Sequence, residues 1–365
     1  MNAYIYRLGT SYFSKTFKLT KVIDNNLNLF IIANKSNKSN KSLHYSTFPP
    51  LQSLPLNITL CLETCRTLHT RTAFPVSQLK YRKGRRLTMS SKLIPSNPSD
   101  VAVFRNITPN VVTVSVPFAR FGIFRVGGRG TIIRLTSGTL AVFSPVALTP
   151  EMKAKVTEMG GNVGYLIAGD IEHHIFLSEW ASAYPNAKLI GPTGLQEKRA
   201  KMQDDDKIGN EPFAFVYDAS NKRDNNITPE FAADFEVEFV DAHPNKEIVL
   251  FYKPDKILIE ADLLFNLPAT EQYSRVPDAA KTSHGILNRI FESLNSTSGD
   301  AKGVKRFLWY GVSNGNKDRP GFNQSVQRID TWDFDTIIPC HGETIVGNGK
   351  ALFRKAFEWH LAGHK

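Results

Sequence analysis

Cysteine is scarce in this chain. Three are present in 365 residues: Cys61, Cys65 and Cys340. Two fall in the first quarter, so the rest carries a single thiol and no disulfide framework. A reducing compartment fits that usage. No apolar run approaches the ~20 residues that cross a bilayer, and Leu27–Ala33 is far too short. No segment repeats at a solenoid period. Acids are almost missing from residues 1–88, which hold 14 Lys/Arg against Asp24 and Glu63. The chain totals 45 basic and 34 acidic residues, so 31 and 32 remain beyond residue 88. The net charge of +11 therefore belongs to an appendage, and the body is near neutral. A near-neutral body lacks the basic footprint of a nucleic-acid binder. Neither a nucleic-acid nor a membrane partner is expected.

Residues 1–96 read as a basic low-complexity segment, disordered or a leader. Asn34–Ser42 is a Lys/Ser/Asn run, and Tyr81–Arg86 is a basic cluster that reads as a solvated loop. Arg7, Lys15, Lys18 and Lys21 with interleaved Ser, Thr and Phe have the character of a mitochondrial leader. The other reading takes this segment as upstream sequence and starts the working protein at Met89, where composition changes abruptly.

Residues 97–365 are orderly. Val111–Val116, Ile123–Val126, Thr131–Leu135 and Thr139–Phe143 read as strands, the last two joined by a turn at Ser137-Gly138. Thr149-Pro150-Glu151 opens a helix that Gly160-Gly161 closes. Val163–Ala168 is a short buried strand, and His174–Ala183 the helix after it. Strands follow at Ala187–Ile190, Phe213–Tyr217, Phe235–Val240, Glu247–Tyr252, Lys256–Glu260 and Asp335–Pro339. Gly194–Met202 and Gly349–His360 read as helices, and the chain from Phe265 to about Arg306 as helical and polar. This order suggests two sheets face to face with helices outside.

Seven of the nine histidines lie in the body, at 173, 174, 243, 284, 341, 360 and 364. Four sit beside strand ends. His173 and His174 follow Val163–Ala168, His243 follows Phe235–Val240, and His341 follows Ile337-Ile338. Asp262 stands just past Lys256–Glu260. Strands of one sheet end along a common edge, so these five ligand-type side chains can converge. Imidazoles with a carboxylate suit zinc, iron or manganese. His284, His360 and His364 read as surface residues. Glu343 reads as a hydrogen-bonding loop acid, and Gly127-Gly128-Arg129-Gly130 as a hairpin turn rather than a phosphate loop.

This order of strand ends resembles the metallo-β-lactamase superfamily over about Pro109–Leu361. Phe251–Phe265 is similar to the family's turn, strand and metal-bridging Asp, here Asp262. Trp332–Gly342 is similar to its last Pro-Gly-His-Gly strand, with Cys340 replacing the first Gly and His341 as the late metal histidine. The first motif departs. Where the family has His-x-His-x-Asp-His, this chain has Gly169-Asp170-Ile171-Glu172-His173-His174. The His-His variant resembles a branch known mainly as a domain of unknown function.

The resemblance implies an α/β fold, a four-layer αββα sandwich. With Gly169 and Ile171 where two histidines should stand, it implies one metal site, drawn from His173, His174, His243, Asp262 and His341. One zinc ion is expected, iron or manganese being the other options. Such an ion would lower the pKa of a bound water, and Asp170 or Glu172 would act as base or as the partner of an imidazole. The implied activity is hydrolysis of a small-molecule ester, thioester, lactone or amide, in the cytoplasm, or in mitochondria if the basic segment is a leader. The other implied reading is a non-catalytic form of the fold with a structural or binding role.

Overall fold

The computed structural model describes residues 98–202, 205–276 and 285–363, together with the backbone of two earlier strands. Tyr81–Arg86, Met89, Cys61, Cys65, His284, His364 and most of Asn34–Ser42 lie outside the described residues. The chain divides into two units, Met1–Lys80 and Tyr81–Lys365. In the first, β1 (Phe17–Ile23) pairs antiparallel with β2 (Leu29–Lys35).

The second unit contains two large mixed sheets. The first is built from β3 (Val103–Asn106), β4 (Val111–Val116), β7 (Gly128–Arg134), β8 (Leu140–Phe143), β9 (Val163–Ile167), β10 (Lys188–Pro192) and β11 (Phe215–Tyr217). Their order across the sheet is β11-β10-β9-β8-β7-β4-β3. The pairs from β3 to β8 are antiparallel, and those from β8 to β11 are parallel. A small hairpin, β5 (Ala119–Arg120) with β6 (Phe124–Arg125), stands between β4 and β7 in the chain. The second sheet runs β12 (Phe235–Val240), β13 (Glu247–Tyr252), β14 (Ile257–Glu260) and β15 (Thr336–Pro339), with only β14 and β15 parallel.

These strands read as apolar runs because both faces are covered. Side chains alternate along a strand. Phe143, Ile167, Leu250 and Ile259 point between the sheets and share one core with Ile133 and Phe239. Their neighbours Val142 and Leu166 face outward onto Met152 and Val156 of the helix Pro150–Glu158 and onto Leu177, Trp180 and Leu195. On the other side, Val249, Leu258 and Ile337 meet Val304, Phe322, Val326 and Phe353. Each such side chain, fully buried, stabilises by about 1.5–3 kcal/mol. The result is the expected α/β architecture, with two sheets face to face and helices on their outer faces.

Local signals account for most boundaries. Thr149 caps the helix Pro150–Glu158 by accepting the Met152 N–H at 3.2 Å. The helix expected from His174 begins instead at Leu177. Residues 170–176 are held in turns, because the buried Asp170 carboxylate takes the Glu172 and His173 N–H groups at 2.6 and 2.9 Å. Gly349–His360 is broken at Phe357 into Gly349–Ala356 and Glu358–Leu361. Helices outside the expected elements include Pro98–Val101, Pro229–Asp234 and Arg319–Ile329, the last two with a capping side chain, Thr228 or Asp318. His360 is not on the surface as expected. Its ring is fully buried, 4.9 Å from the Trp309 ring and 5.2 Å from the Phe322 ring. No described helix is long and apolar enough to cross a membrane.

Register positions the chemistry. Glu260 pairs with Pro339 across parallel β14 and β15. Two residues further on, Asp262 and His341 therefore leave the same sheet edge at the same level. β12 is antiparallel to β13 and β13 to β14, so the His243 turn and Glu247 lie at that edge too.

Candidate metal centre

His173, Asp262 and His341 converge. One ligand atom from each lies within 4.8 Å of the others. The two Nε2 atoms are 3.2 Å apart, and His341 Nε2 is 2.9 Å from Asp262 Oδ1. The other ring atoms are committed. His173 Nδ1 lies 2.8 Å from Asp170 Oδ1, and His341 Nδ1 lies 2.6 Å from the Gly127 carbonyl. Both partners are acceptors, so each Nδ1 carries a proton, and a ring without a second proton turns its Nε2 lone pair inward. Asp262 Oδ1 is buried with no hydrogen bond of good geometry. With no proton on either Nε2, three lone-pair donors face one another. Ligand atoms at ~2.0–2.1 Å from a tetrahedral zinc lie about 3.3 Å apart, close to the two short separations. The donor set fits a cation.

The surroundings hold this set in place. Asn245 Nδ2 donates to Asp262 Oδ2 at 2.5 Å. Glu247, fully buried, accepts the backbone N–H groups of Ala261 and Asp262 at 2.5 and 3.0 Å. Burial, with Asp170 and Glu260 nearby, pushes its carboxyl well above the usual range. Phe265 and Phe118 flank His341, with ring centroids at 4.7 and 6.0 Å. At Gly127, φ is +70° and a Cβ would meet Gln272 at 2.5 Å, so only glycine presents that carbonyl to His341.

Charge follows burial and neighbours. Burial opposes a charged His173, but the adjacent carboxylates of Asp170, Asp262 and Glu172 outweigh it and push its pKa up to about 9. Burial would raise the Asp262 pKa, yet His341, His173 and His243 hold it well below the usual carboxylate range. His174 is pushed down to about 3 by burial, with Lys198 and Arg199 adding to the effect.

The remaining candidates take other places. His174 stands outside the convergent group. Its ring lines a cavity beside His173, and its Nδ1 has no hydrogen-bond partner. Its backbone is tied by the buried Arg199, which donates to the His174 carbonyl at 2.9 Å. His243 is buried behind Asp262, with Nδ1 accepting the Asn245 N–H at 3.2 Å; burial lowers its pKa. Asp170 reaches the centre through the His173 ring. Glu172 points to Lys198 Nζ at 2.8 Å. Gly169 packs closely, because a Cβ there would lie 2.7 Å from Phe143 Cζ and from Ser144 Oγ, and 2.8 Å from Ala261 Cβ. The space a histidine would need at that position is filled by core. Glu343 accepts the Glu271 N–H at 2.8 Å, the loop role expected of it. Glu247, Asn245 and the Gly127 carbonyl were missed. An acid heading the apolar run Glu247–Tyr252 was a signal for the first; the other two left none.

Residues 121–287 match the family model of a domain of unknown function, DUF4336. Several solved structures are similar to this chain. A metallo-β-lactamase from Pontibacter korlensis shares 12% identity, covering 71% of this chain and 98% of that one, with a TM-score of 0.43. A metallo-β-lactamase from Hirschia baltica shares 10%, covering 71% and 97%, with a TM-score of 0.43. The metal-soaked Flv1 flavodiiron core from Synechocystis sp. PCC6803 shares 12%, covering 71% and 60%, with a TM-score of 0.46. No curated protein matches the chain significantly. Both resemblances read from the sequence recur in these matches. At such identities they say nothing of a reaction.

Proposed function

We propose that this chain is a metal-dependent hydrolase with one ion held by His173, Asp262 and His341. The observation that carries the reading is the convergence of two Nε2 atoms and a buried carboxylate oxygen. Three protein ligands with a position left for water or substrate are a catalytic rather than a structural arrangement. When bound, such an ion, zinc or else iron or manganese, supplies Lewis acidity and an activated water. The chain's own groups do the rest. Asp170 fixes the His173 tautomer, the Gly127 carbonyl fixes that of His341, and Asn245 orients the Asp262 carboxylate. Glu172 lines the cavity beside the centre and can move a proton there once released from Lys198. The substrate is a small-molecule ester, thioester, lactone or amide. The lone body thiol, Cys340, fits a reducing compartment; we place the protein in the cytoplasm, with mitochondria as the alternative if the basic segment is a leader.

One observation favours a second reading. The His173 and His341 Nε2 atoms stand at hydrogen-bond distance, 3.2 Å, and, against burial, the carboxylates around His173 push its pKa up to about 9, which favours a second ring proton. A proton on Nε2 would then bridge to His341 and satisfy the cluster without metal, leaving a non-catalytic fold with a structural or binding role. Zinc titration of the full chain separates the two. The hydrolase reading expects one ion per chain, lost in Asp262→Ala and His341→Ala and kept in His174→Ala. Less than about 0.1 ion per wild-type chain after metal-replete expression would sink it.

A further inference from the structure

A cavity of about 140 Å³ opens beside His173 and His341. Its walls come from separate chain segments: Val101, Phe118, Val146, Ile175 and Phe176 are apolar, and Phe118 also stacks on His341. Arg129 and Glu172 in its lining are committed elsewhere. Arg129 donates to the Pro339 carbonyl at 2.6 Å and to Ser115 at 3.0 Å, and pairs with Glu271. Glu172 pairs with Lys198, and the half-buried Arg120 lies over the Phe121 ring at 5.4 Å. Most of the wall is apolar, so a charged group seated against it would lose water at a cost. An apolar group gains about 25 cal/mol per Å² removed from water. An apolar enclosure of ~150 Å³ takes up benzene, which sets the scale.

We propose that this cavity is the substrate subsite for a compact, uncharged apolar group of about benzene size, carried next to the bond that is cut. The assignment rests on the hydrolase reading above, and it narrows the substrate to esters, thioesters, lactones or amides with an aryl or short branched alkyl substituent.

The test is ¹⁹F NMR titration of the full chain with fluorobenzene, and with trifluoroacetate as the small anion. Ala147 lines the cavity, so Ala147→Phe fills it; Val101→Phe fills it from another wall. Saturable fluorobenzene binding is expected, tighter than that of trifluoroacetate and weakened at least tenfold in a folded filling variant. Absent fluorobenzene binding, or equal binding in both folded variants, overturns the proposal, as does tighter binding of the anion. Zinc uptake is measured on the same samples. Uptake without fluorobenzene binding refutes the subsite alone. Fluorobenzene binding without zinc uptake refutes the hydrolase reading and with it the substrate assignment, leaving an apolar binding cavity.

Discussion

Gly169 offers the sharpest test of why this centre would hold one ion rather than two. Placing a Cβ there puts a methyl group within 2.7–2.8 Å of Phe143 Cζ, Ser144 Oγ and Ala261 Cβ. Phe143 and Ala261 are fully buried, so neither can swing into solvent. Overpacking of this kind costs about 1–3 kcal/mol. One effect opposes it: alanine reduces the freedom of the unfolded chain and returns about 0.4–1 kcal/mol. The cost wins, and Gly169→Ala should be less stable by about 1–2 kcal/mol. For a domain of this size that is a fall of roughly 2–5 °C in Tm. Urea unfolding with an unchanged m-value is the assay. Adding Phe143→Leu removes the ring tip, so the double variant should be more stable than the two single effects sum to. Gly169→His should lose more than Gly169→Ala and gain no second metal equivalent. Gly169→Ala within about 0.3 kcal/mol of wild type, or a folded Gly169→His that binds two ions, would refute the claim that core packing fills the missing ligand position.

Other perturbations have equally definite outcomes. His360 is buried among aromatic rings with neither ring nitrogen bonded, and its pKa is pushed down to about 4 by burial. Its folded value lies below the unfolded ~6.5, so its contribution is present above pH 6.5 and is lost as pH falls towards 4; about 2.5 units correspond to about 3 kcal/mol. His360→Phe should flatten that part of the stability–pH curve, and an unchanged acid slope would contradict the burial. Asp170→Asn keeps an acceptor for His173 but removes the charge, and should weaken zinc binding about 10–100-fold, read by competition with a chromophoric chelator; unaltered affinity would show that Asp170 does not support His173. Glu247→Gln must turn an amide NH₂ towards the Ala261 or Asp262 N–H. It should cost about 1–3 kcal/mol in urea unfolding, and a neutral result would remove Glu247 from the support of the Asp262 turn.

The parts of this molecule that were legible in its sequence are those where one element's pattern decides the outcome. Val111–Val116, Phe235–Val240 and Glu247–Tyr252 match the strands residue for residue, because runs of β-branched and aromatic side chains covered on both faces have no other stable place. Asp262 and His341 were legible for a related reason: each stands two residues past a strand, and parallel pairing of β14 with β15 brings such positions level. What was not legible depends on contacts distant in sequence. Whether His173 or His174 turns inward is decided by Asp170, which draws in two N–H groups of its own turn, and by Arg199, which ties the His174 carbonyl from 25 residues away. Gln272 enforces glycine at 127, 145 positions upstream, and no local pattern carries that.

The convergent cluster also limits what can stand at its centre. With both Nδ1 protons directed outward and no second proton on either ring, His173, His341 and Asp262 turn only lone pairs inward, and bare lone pairs 2.9–3.2 Å apart repel. Such an arrangement is retained only if something positive joins them. A proton can join two of the three atoms, because one N–H points along one line. It can pair His173 with His341 and leave Asp262 Oδ1, buried and without a well-formed hydrogen bond, still unsatisfied. A cation addresses all three at once. The Asp262 oxygen is thus the atom on which the two readings differ, and Asp262→Asn separates them without any assay of turnover. If a proton holds the cluster, the amide removes the charge that favours it, while His173 and His341 keep their bridge and the fold keeps its stability. If a cation holds it, the amide removes the anionic ligand, and the stability gained on adding zinc falls by RT ln of the lost affinity.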